Sequence, residues 1–246
     1  MAEHVFDWLH HKPIAHRGYH DNKLSVPENS LAAFTAAIDA GYAIELDVQL
    51  IKDGTVIVFH DQGLERACGR PGQVSNLSRE QLRVMRLFQS TETIPTLTEV
   101  LALVDGRVPL LIELKNATTS RELEKAVLAV LGDYDGPFAL QSFNPLAVRW
   151  LKKQQPELLV GQLVTVVDGG GPRQWILNAL SFSRRRQPDF LAFDATHLPH
   201  PKVAQYRESG LPVLAWTVQS PAQYEAIAAH CDNIIFEGFV PEIAAG

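Results

Sequence analysis

The chain has 246 residues, of which 46% are apolar and 20% charged, and its formal net charge is −6. This composition is typical of a globular protein, and the acidic balance indicates no general affinity for nucleic acid or anionic membranes. The two cysteines, Cys68 and Cys231, form neither a disulfide framework nor a CxxC motif. No secretory signal is recognisable, and no apolar run approaches the length of a membrane span. We therefore expect a cytoplasmic protein without stable membrane association.

Eight short apolar segments are predicted to be strands, and the first seven are each followed by a plausible helix. In chain order the strands are Pro13–Arg17, Ala43–Leu50, Pro109–Lys115, Phe138–Phe143, Leu158–Leu163, Phe190–Asp194, Val213–Val218 and Asn233–Glu237. Strands that alternate with helices form parallel βαβ units. Eight such units in a chain of this length favour a closed barrel over an open sheet. The predicted fold class is α/β, a TIM (β/α)8 barrel in which residues 1–246 form a single domain.

One stretch interrupts this alternation after the second strand. Asp53-Gly54 is a hairpin signal, and Thr55–His60 is predicted to be an extra strand. The residues that follow, 61–95, contain several turn residues and one short helix that begins at a Ser78-x-x-Gln81 capping box. We interpret this segment as a small insertion on a βα loop, where TIM barrels place their functional residues.

The second and third predicted strands carry charged residues at alternate positions. Glu45, Asp47 and Gln49 share one face of the second strand. Glu113 and Lys115 share one face of the third. A half-exposed antiparallel strand would explain the first pattern, and a structural ion pair would explain the second.

Buried inward carboxylates in a parallel barrel are costly unless a cation neutralises them. Carboxylate oxygens suit Mg²⁺ or Ca²⁺, and also Mn²⁺. Glu45, Asp47 and Glu113 are therefore candidate ligands of one divalent cation, and Lys115 is a candidate anion-binding residue.

Two histidines follow apolar segments near these carboxylates. His16 and Arg17 end the first strand, and His60 ends the extra strand, next to Asp61. A single strand-end histidine is usually structural, but two of them can supply a general base and a general acid. Asp61 either orients an imidazole or caps a turn.

Other candidates carry weaker signals. Gln141 and Ser142 lie near the end of the fourth strand, and Trp216 and Thr217 lie near the end of the seventh. Either pair could line a substrate pocket, although core packing explains the tryptophan at least as well. Arg184-Arg185-Arg186 is interpreted as a solvated helix end. Gly169-Gly170-Gly171 lacks the lysine and hydroxyl residue of a P-loop and is interpreted as a flexible loop.

In their order along the chain, these segments resemble the signature of the glycerophosphodiester phosphodiesterase family. The segments are His16-Arg17-Gly18, Pro27-Glu28-Asn29-Ser30, Glu45-Leu46-Asp47-Val48, Lys52-Asp53-Gly54, Val58-Phe59-His60-Asp61, Ile112-Glu113-Leu114-Lys115 and Trp216-Thr217-Val218. The resemblance covers essentially the whole predicted barrel and is densest in residues 13–66. It implies a TIM barrel with an insertion after the second strand.

The resemblance also implies an activity, the hydrolysis of a glycerophosphodiester to glycerol 3-phosphate and an alcohol, with a small molecule as the partner. Glu45, Asp47 and Glu113 would bind the divalent cation. His16 and His60 would act as the acid–base pair, while phosphate binding would fall to Arg17 and Lys115.

The sequence departs from the family pattern in two places. Leu64-Glu65-Arg66 is followed by Ala67-Cys68-Gly69, where the family usually has Thr-Thr-x-Gly. The last strand continues as Phe236-Glu237-Gly238-Phe239-Val240-Pro241 rather than in a Thr-Asp-x-Pro pattern. Neither departure affects a proposed metal ligand or histidine. Both lie where the alcohol end of the substrate would be recognised, so substrate choice does not follow from the resemblance.

Three other functions remain open from the residues alone. A phospholipase-like barrel would use similar histidines but would need an apolar or basic rim for a bilayer. A metal-dependent sugar isomerase would gather carboxylates and histidines without a phosphate-binding Arg17 and Lys115. A barrel that only binds phosphodiesters would tolerate the loss of a histidine. The preferred alcohol, the oligomeric state and the roles of the individual histidines do not follow from the sequence.

Overall fold

The computed structural model describes residues 7–22, 26–116, 120–166 and 188–241. Its sheet contains the strands β1 (Ile14–Ala15), β2 (Ala43–Leu50), β3 (Val56–Val58), β4 (Leu110–Leu114), β5 (Phe138–Ser142), β6 (Val160–Val164), β7 (Phe190–Asp194), β8 (Val213–Val218) and β9 (Asn233–Phe236). Their order is β1-β9-β8-β7-β6-β5-β4-β2-β3, and β1 also pairs with β2. This additional pairing closes the eight parallel strands, so the prediction of a TIM barrel is confirmed.

The described helices are α1 (Trp8–His11), α2 (Leu31–Asp39), α3 (Glu65–Cys68), α4 (Arg79–Leu82), α5 (Leu97–Val104), α6 (Glu122–Leu131), α7 (Pro145–Gln154), α8 (Pro201–Glu208) and α9 (Pro221–Ile227). The helix predicted after β6 lies outside the described residues, as do Gly169-Gly170-Gly171 and Arg184-Arg185-Arg186. No helix in the described part of the chain is long and apolar enough to cross a membrane.

The chain divides into two compact units, Ala15–Phe138 and Met1–Ile14 with Ala139–Gly246. In the first unit, β2 is buried at seven of its eight positions and β4 at all five. In the second unit, β6 is buried along its whole length and β7 at all but its last residue. Each unit therefore has the nearly continuous burial that parallel barrel strands require.

Three predicted strands, β2, β7 and β8, have the observed bounds, whereas β1 is shorter than predicted. It ends at Ala15 because the chain turns at Arg17 and Gly18, where φ is 55° and 82°. A side chain on residue 18 would also place its Cβ 2.9 Å from the Cβ of Ala33, so this turn requires glycine. His16 and Arg17 consequently lie in a turn and not in the strand.

The predicted hairpin and insertion are both present, but the extra strand spans Val56–Val58 and not Thr55–His60, so His60 follows the strand and does not end it. β3 pairs with β2 in antiparallel register, with Val48 opposite Val58, and Gly54 in the connecting turn has a φ of 81°. The insertion contains two short helices, α3 and α4, with a 3-10 turn at Val74–Asn76 between them. The prediction of one helix was therefore incomplete, because a four-residue helix such as α3 is too short for a periodic apolar pattern.

The insertion has an apolar cluster of its own. The cluster consists of Ile51, Ile57, Phe59, Leu64, Ala67, Val74, Leu77, Leu82, Met85, Leu87 and Ile94, with Phe88 and Cys68 packed against it. These residues join the insertion to the hairpin strand β3, so the segment is a packed part of its unit and not a loose loop.

Candidate active site

Three carboxylates meet where β2 and β4 run side by side. The parallel register places Asp47 opposite Glu113, and Glu45 precedes Asp47 on the same face of β2. One oxygen from each of Glu45, Asp47 and Glu113 lies within 4.8 Å of the other two, and all three residues are buried. Three buried acidic groups at this separation repel one another strongly unless positive charge is close.

The pKa values of the cluster reflect this crowding. Burial, followed by the charges of Asp47 and Glu113, raises the pKa of Glu45 well above its ordinary value. Burial and the charge of Asp47 raise the pKa of Glu113 to about 7. Burial would also raise the pKa of Asp47, but Lys115 and Arg17 outweigh it and hold that pKa below its ordinary value. The cluster therefore has a surplus of acidic groups over the cations that serve it.

Two cationic side chains approach the carboxylates. The Lys115 Nζ lies 2.9 Å from Glu113 Oε1 and 3.4 Å from Asp47 Oδ1. The Arg17 Nε lies 3.4 Å from Asp47 Oδ2. Burial alone would lower the pKa of Lys115, but the charges of Asp47 and Glu113 outweigh burial and raise that pKa above its ordinary value. The ammonium form is therefore favoured. Both cations stand beside the acidic cluster, which is where an anionic substrate would need them.

The turn that follows β1 is attached to the same cluster. The Arg17 backbone N–H donates to Glu45 Oε2 at 3.0 Å, and Arg17 has a φ of 55°. Asn29, whose φ is also 55°, donates from Nδ2 to Asp47 Oδ2 at 2.9 Å and from its backbone N–H to the Arg17 carbonyl. Left-handed backbone is costly for arginine, so these bonds hold a strained turn. His16, which is half-buried, belongs to this turn.

His60 follows β3 and is paired with its neighbour. Its Nδ1 lies 2.6 Å from Asp61 Oδ1. Hydrogen bonds from Arg66 and His60 outweigh the effect of burial and lower the pKa of Asp61, so its carboxylate accepts and the Nδ1 of His60 must donate. The other ring nitrogen, Nε2, is then an acceptor in the neutral imidazole. Burial, opposed by Asp47 and reinforced by Lys115, lowers the pKa of His60.

The loop that carries His60 is fixed by Gln49, which is buried on the carboxylate face of β2. Its Nε2 donates to the carbonyl oxygens of Phe59, His60 and Asp61 at 2.7, 3.1 and 2.9 Å. Of the three polar residues that alternate along β2, Gln49 therefore binds backbone, whereas Glu45 and Asp47 belong to the carboxylate cluster.

The remaining predicted residues, Gln141 and Trp216, belong to the unit of residues 139–246. Gln141 is 1% exposed, and among the described residues its Oε1 accepts no hydrogen bond. Trp216 is half-buried and packs edge-to-face on Phe143, with ring centroids 5.4 Å apart. Its Nε1 likewise lacks a partner in the described chain. Both side chains therefore retain hydrogen-bonding capacity at the ends of their strands.

Sequence reasoning assigned no role of their own to Glu28, Asn29 and Arg66. Glu28 and Asn29 were named only within the segment Pro27-Glu28-Asn29-Ser30, and Arg66 only as the residue before Ala67-Cys68-Gly69, where the sequence departs from the family pattern. The structure shows that Asn29 binds Asp47 and that Glu28 and Arg66 bind each other. Glu28 and Asn29 are buried polar residues just before helix α2, and buried polar groups need partners, but this burial is visible only in the folded chain.

The chain is similar to known proteins over most of its length. A sequence profile of the Glycerophosphoryl diester phosphodiesterase family matches residues 16–237. A glycerophosphodiester phosphodiesterase from Caldanaerobacter subterraneus subsp. tengcongensis is 36% identical over 162 residues, which cover 61% of this chain and 65% of that protein. The match thus spans just under two thirds of that relative's length.

Two solved structures are similar over nearly their full length. One is an Oleispira antarctica phosphodiesterase in complex with the product sn-glycerol-3-phosphate, with a TM-score of 0.78 and 26% sequence identity. The match covers 95% of this chain and 94% of that protein. A glycerophosphodiester phosphodiesterase from Thermotoga maritima has a TM-score of 0.73 at 27% identity, with coverage of 92% and 95%.

The fold and the matched residues define a phosphoric diester hydrolase built as a TIM barrel. The chain belongs to the glycerophosphoryl diester phosphodiesterase family.

Proposed function

We propose that this protein hydrolyses glycerophosphodiesters to glycerol 3-phosphate and an alcohol, with one divalent cation and two histidines. The observation that supports this proposal most directly is the cluster of three buried carboxylates beside Arg17 and Lys115. A site that holds both acids and cations fits a metal together with an anionic substrate, whereas an isomerase site would not need the two cations.

The residues fit a hard divalent cation. All three candidate ligands, Glu45, Asp47 and Glu113, offer carboxylate oxygens, the donors that Mg²⁺, Ca²⁺ and Mn²⁺ prefer. Burial and the neighbouring carboxylates raise the pKa values of Glu45 and Glu113, so a cation beside them would favour the ionised form of both groups. When bound, the cation would polarise a phosphoryl oxygen and neutralise charge that develops on it.

Arg17 and Lys115 would bind the phosphate and stabilise the charge that builds up on its oxygens during the reaction. Both are substantially buried, so their electrostatic effect is larger than it would be in water. Gln141 and Trp216 are proposed as further substrate-binding residues because each has an unused hydrogen-bonding group.

His16 and His60 would transfer the protons. One would accept a proton from the nucleophile, and the other would donate a proton to the departing alkoxide. The bond between His60 Nδ1 and Asp61 would orient the ring and leave Nε2 as the nitrogen that takes part in proton transfer. Burial lowers the pKa of His60, which favours the neutral imidazole and would suit the role of base.

The nucleophile is either the substrate's own 2-hydroxyl or a water molecule. Attack by the 2-hydroxyl oxygen would form a new bond to phosphorus as the bond to the alcohol breaks, and would give a cyclic phosphate. Water would then open that ring with the histidine roles exchanged. The tethered hydroxyl is favoured because it avoids the entropic cost of ordering a separate water.

The substrate would be a small molecule, as in the Oleispira antarctica relative, whose structure contains sn-glycerol-3-phosphate. Cytoplasmic location and the absence of nucleic-acid and stable membrane partners are proposed on the composition alone.

The proposal is tested by measuring glycerol 3-phosphate release from a panel of glycerophosphodiesters that differ in the alcohol. Release from at least one member is expected, whereas a purified and folded protein that releases none would contradict the proposal. A 2-deoxy analogue of the best substrate separates the two nucleophiles. It should bind but barely turn over if the 2-hydroxyl attacks, and equal kcat values would leave direct attack by water.

A further inference from the structure

Arg66, on the short insertion helix α3, binds two different carboxylates of the site. Its Nε and Nη2 lie 2.6 and 3.2 Å from the two oxygens of Asp61. Its Nη1 and Nη2 donate to the two oxygens of Glu28 at 2.9 and 2.7 Å. The guanidinium therefore makes a paired contact with each acid, the geometry that gives arginine its directional strength.

Each of these carboxylates binds a residue of the proposed chemistry on its other side. Asp61 accepts from His60 Nδ1 at 2.6 Å. Glu28 accepts from Arg17 Nη1 at 2.6 Å. One guanidinium is thus linked through a single carboxylate to a proton-transfer residue and through another to a phosphate-binding residue.

The insertion holds Arg66 in this place. Its guanidinium carbon lies 5.4 Å from the centre of the Phe88 ring, and Phe88 packs against the apolar cluster of the insertion. The Phe88 backbone N–H donates to the carbonyl of Ala67, the residue next to Arg66. Although Arg66 is partly exposed, it therefore approaches the site from a packed support.

Resting on the proposed function, we propose that Arg66 is a positioning residue that orients His60 through Asp61 and Arg17 through Glu28. Arg66 contacts neither the carboxylate cluster nor, in the contacts described, His60 itself, so its effect passes through the two acids. Without it, the Asp61 carboxylate would keep only His60 as a hydrogen-bond partner among the described residues and could rotate away from the geometry that the imidazole needs. Glu28 would keep Arg17 and Asn22 but lose its bidentate partner.

The test compares Arg66→Gln and Arg66→Lys with the matched control Arg70→Gln, which removes an exposed arginine from the same insertion. Arg66→Gln should lose at least about tenfold in kcat per folded molecule, as expected for a residue that orients a site without touching it. Arg66→Lys should retain only part of the activity because an ammonium cannot reproduce the two paired contacts. Added guanidinium ion should restore activity to Arg66→Ala and leave Arg70→Ala unchanged.

A double mutant separates positioning from general support of the fold. If Arg66 acts through Asp61, Arg66→Gln combined with Asp61→Asn should be no more than about twofold worse in kcat than the poorer single variant. Fully multiplicative losses, or an Arg66→Gln kcat within about twofold of the parent, would overturn the proposal. A role limited to stability would lower Tm without lowering kcat per folded molecule.

A second measurement does not depend on turnover. In the parent protein, the Nδ1 proton of His60 should give a downfield, slowly exchanging NMR signal because it is held against Asp61. That signal should be lost or broadened in folded Arg66→Gln and kept in Arg70→Gln; its survival in Arg66→Gln would contradict the positioning role. If the parent protein releases no glycerol phosphate, the proposed function fails, and this signal still decides whether Arg66 positions His60.

Discussion

The strands of the two units carry different kinds of polar side chain. In residues 15–138, β2 carries Glu45 and Asp47, β4 carries Glu113, and Lys115 follows β4, and all four are buried or nearly so. In residues 139–241, the corresponding groups are mostly neutral: Gln141, Ser142, Gln162 and Trp216. Asp194 and Glu237 are exceptions. Asp194 accepts hydrogen bonds from Thr165 and Thr196, and Glu237, which follows β9, accepts one from Gln219.

In both units, nevertheless, a buried glutamine side chain binds the backbone of a loop. Gln49 Nε2 donates to three carbonyls after β3, and Gln162 Nε2 donates to the carbonyls of Ser142, Phe143 and Leu163. A buried amide on a strand thus holds backbone in each unit. Loop organisation is therefore common to both units, whereas the charged groups that would carry out phosphodiester hydrolysis are concentrated in one.

The largest effect is expected from the carboxylate cluster of the charged unit. Asp47→Asn should reduce kcat/KM at least about a thousandfold, roughly 4 kcal/mol, because it removes a candidate metal ligand and the acceptor for Arg17 and Lys115. Calorimetric titration with Mg²⁺, Ca²⁺ and Mn²⁺ should show binding to the parent and much weaker binding to the variant. EDTA should abolish activity, and full turnover by verified metal-free protein would contradict the metal dependence.

The histidines should give the next largest effect. His16→Ala and His60→Ala should each lose at least about a hundredfold in kcat. Since the two residues act as a unit, the double variant should be little worse than the poorer single one. With a p-nitrophenyl leaving group, which needs no protonation, the variant that lacks the general acid should recover most of its activity. Normal turnover in either single variant would assign that histidine a structural role.

The charged unit should also respond to acid through Glu28. Burial raises the pKa of Glu28, but Arg66 and Arg17 outweigh it and lower that pKa to about 2, from an ordinary value of 4.5. The stabilisation is therefore complete above pH 4.5 and is lost as the pH falls toward 2. The difference in unfolding free energy between the parent and Glu28→Gln should shrink by about 2 kcal/mol between pH 5 and pH 3. Urea unfolding measures it, and Glu157→Gln, an exposed site in the other unit, should show no such change.

The smallest effect is expected in the neutral unit. Trp216→Phe removes the indole N–H but keeps an aromatic ring to pack on Phe143. We expect KM to rise by about tenfold with kcat nearly unchanged, the pattern of a residue that binds substrate and transition state equally. Steady-state kinetics with the best substrate measures this. A large fall in kcat at constant KM would instead give Trp216 a role in the chemical step. The residues that carry out the chemistry would then not be confined to the unit of residues 15–138.

The alternation of strands and helices allowed the barrel to be predicted because apolar runs of strand length are a direct consequence of burial on both faces. The bounds of β2, β7 and β8 were exact, but β1 was overextended, since the left-handed turn at Arg17 has no apolar signature. The expectation of a single domain over residues 1–246 stays a prediction. So do the roles of the predicted site residues, although the structure brings the three carboxylates together.

The supporting residues of the site could not have been predicted in the same way. Arg66 is 38 positions from Glu28, and only the folded insertion brings the two together. Asn29 and Asp47 likewise meet across 18 positions. Such pairs depend on tertiary packing and leave no periodic signal, whereas charged residues at alternate positions of one strand can be recognised locally.

The amide of Gln49 has a consequence for how this protein can change over evolutionary time. Gln49 binds the carbonyl oxygens of residues 59–61 and not their side chains. The start of the insertion is therefore held through backbone groups that every residue type has. The segment beyond it packs largely on its own apolar cluster. An exchanged or lengthened insertion would then leave the loop that carries His60 in register, provided that Gln49 and one arginine at the position of Arg66 are kept. New specificities can arise in this segment without rebuilding the barrel.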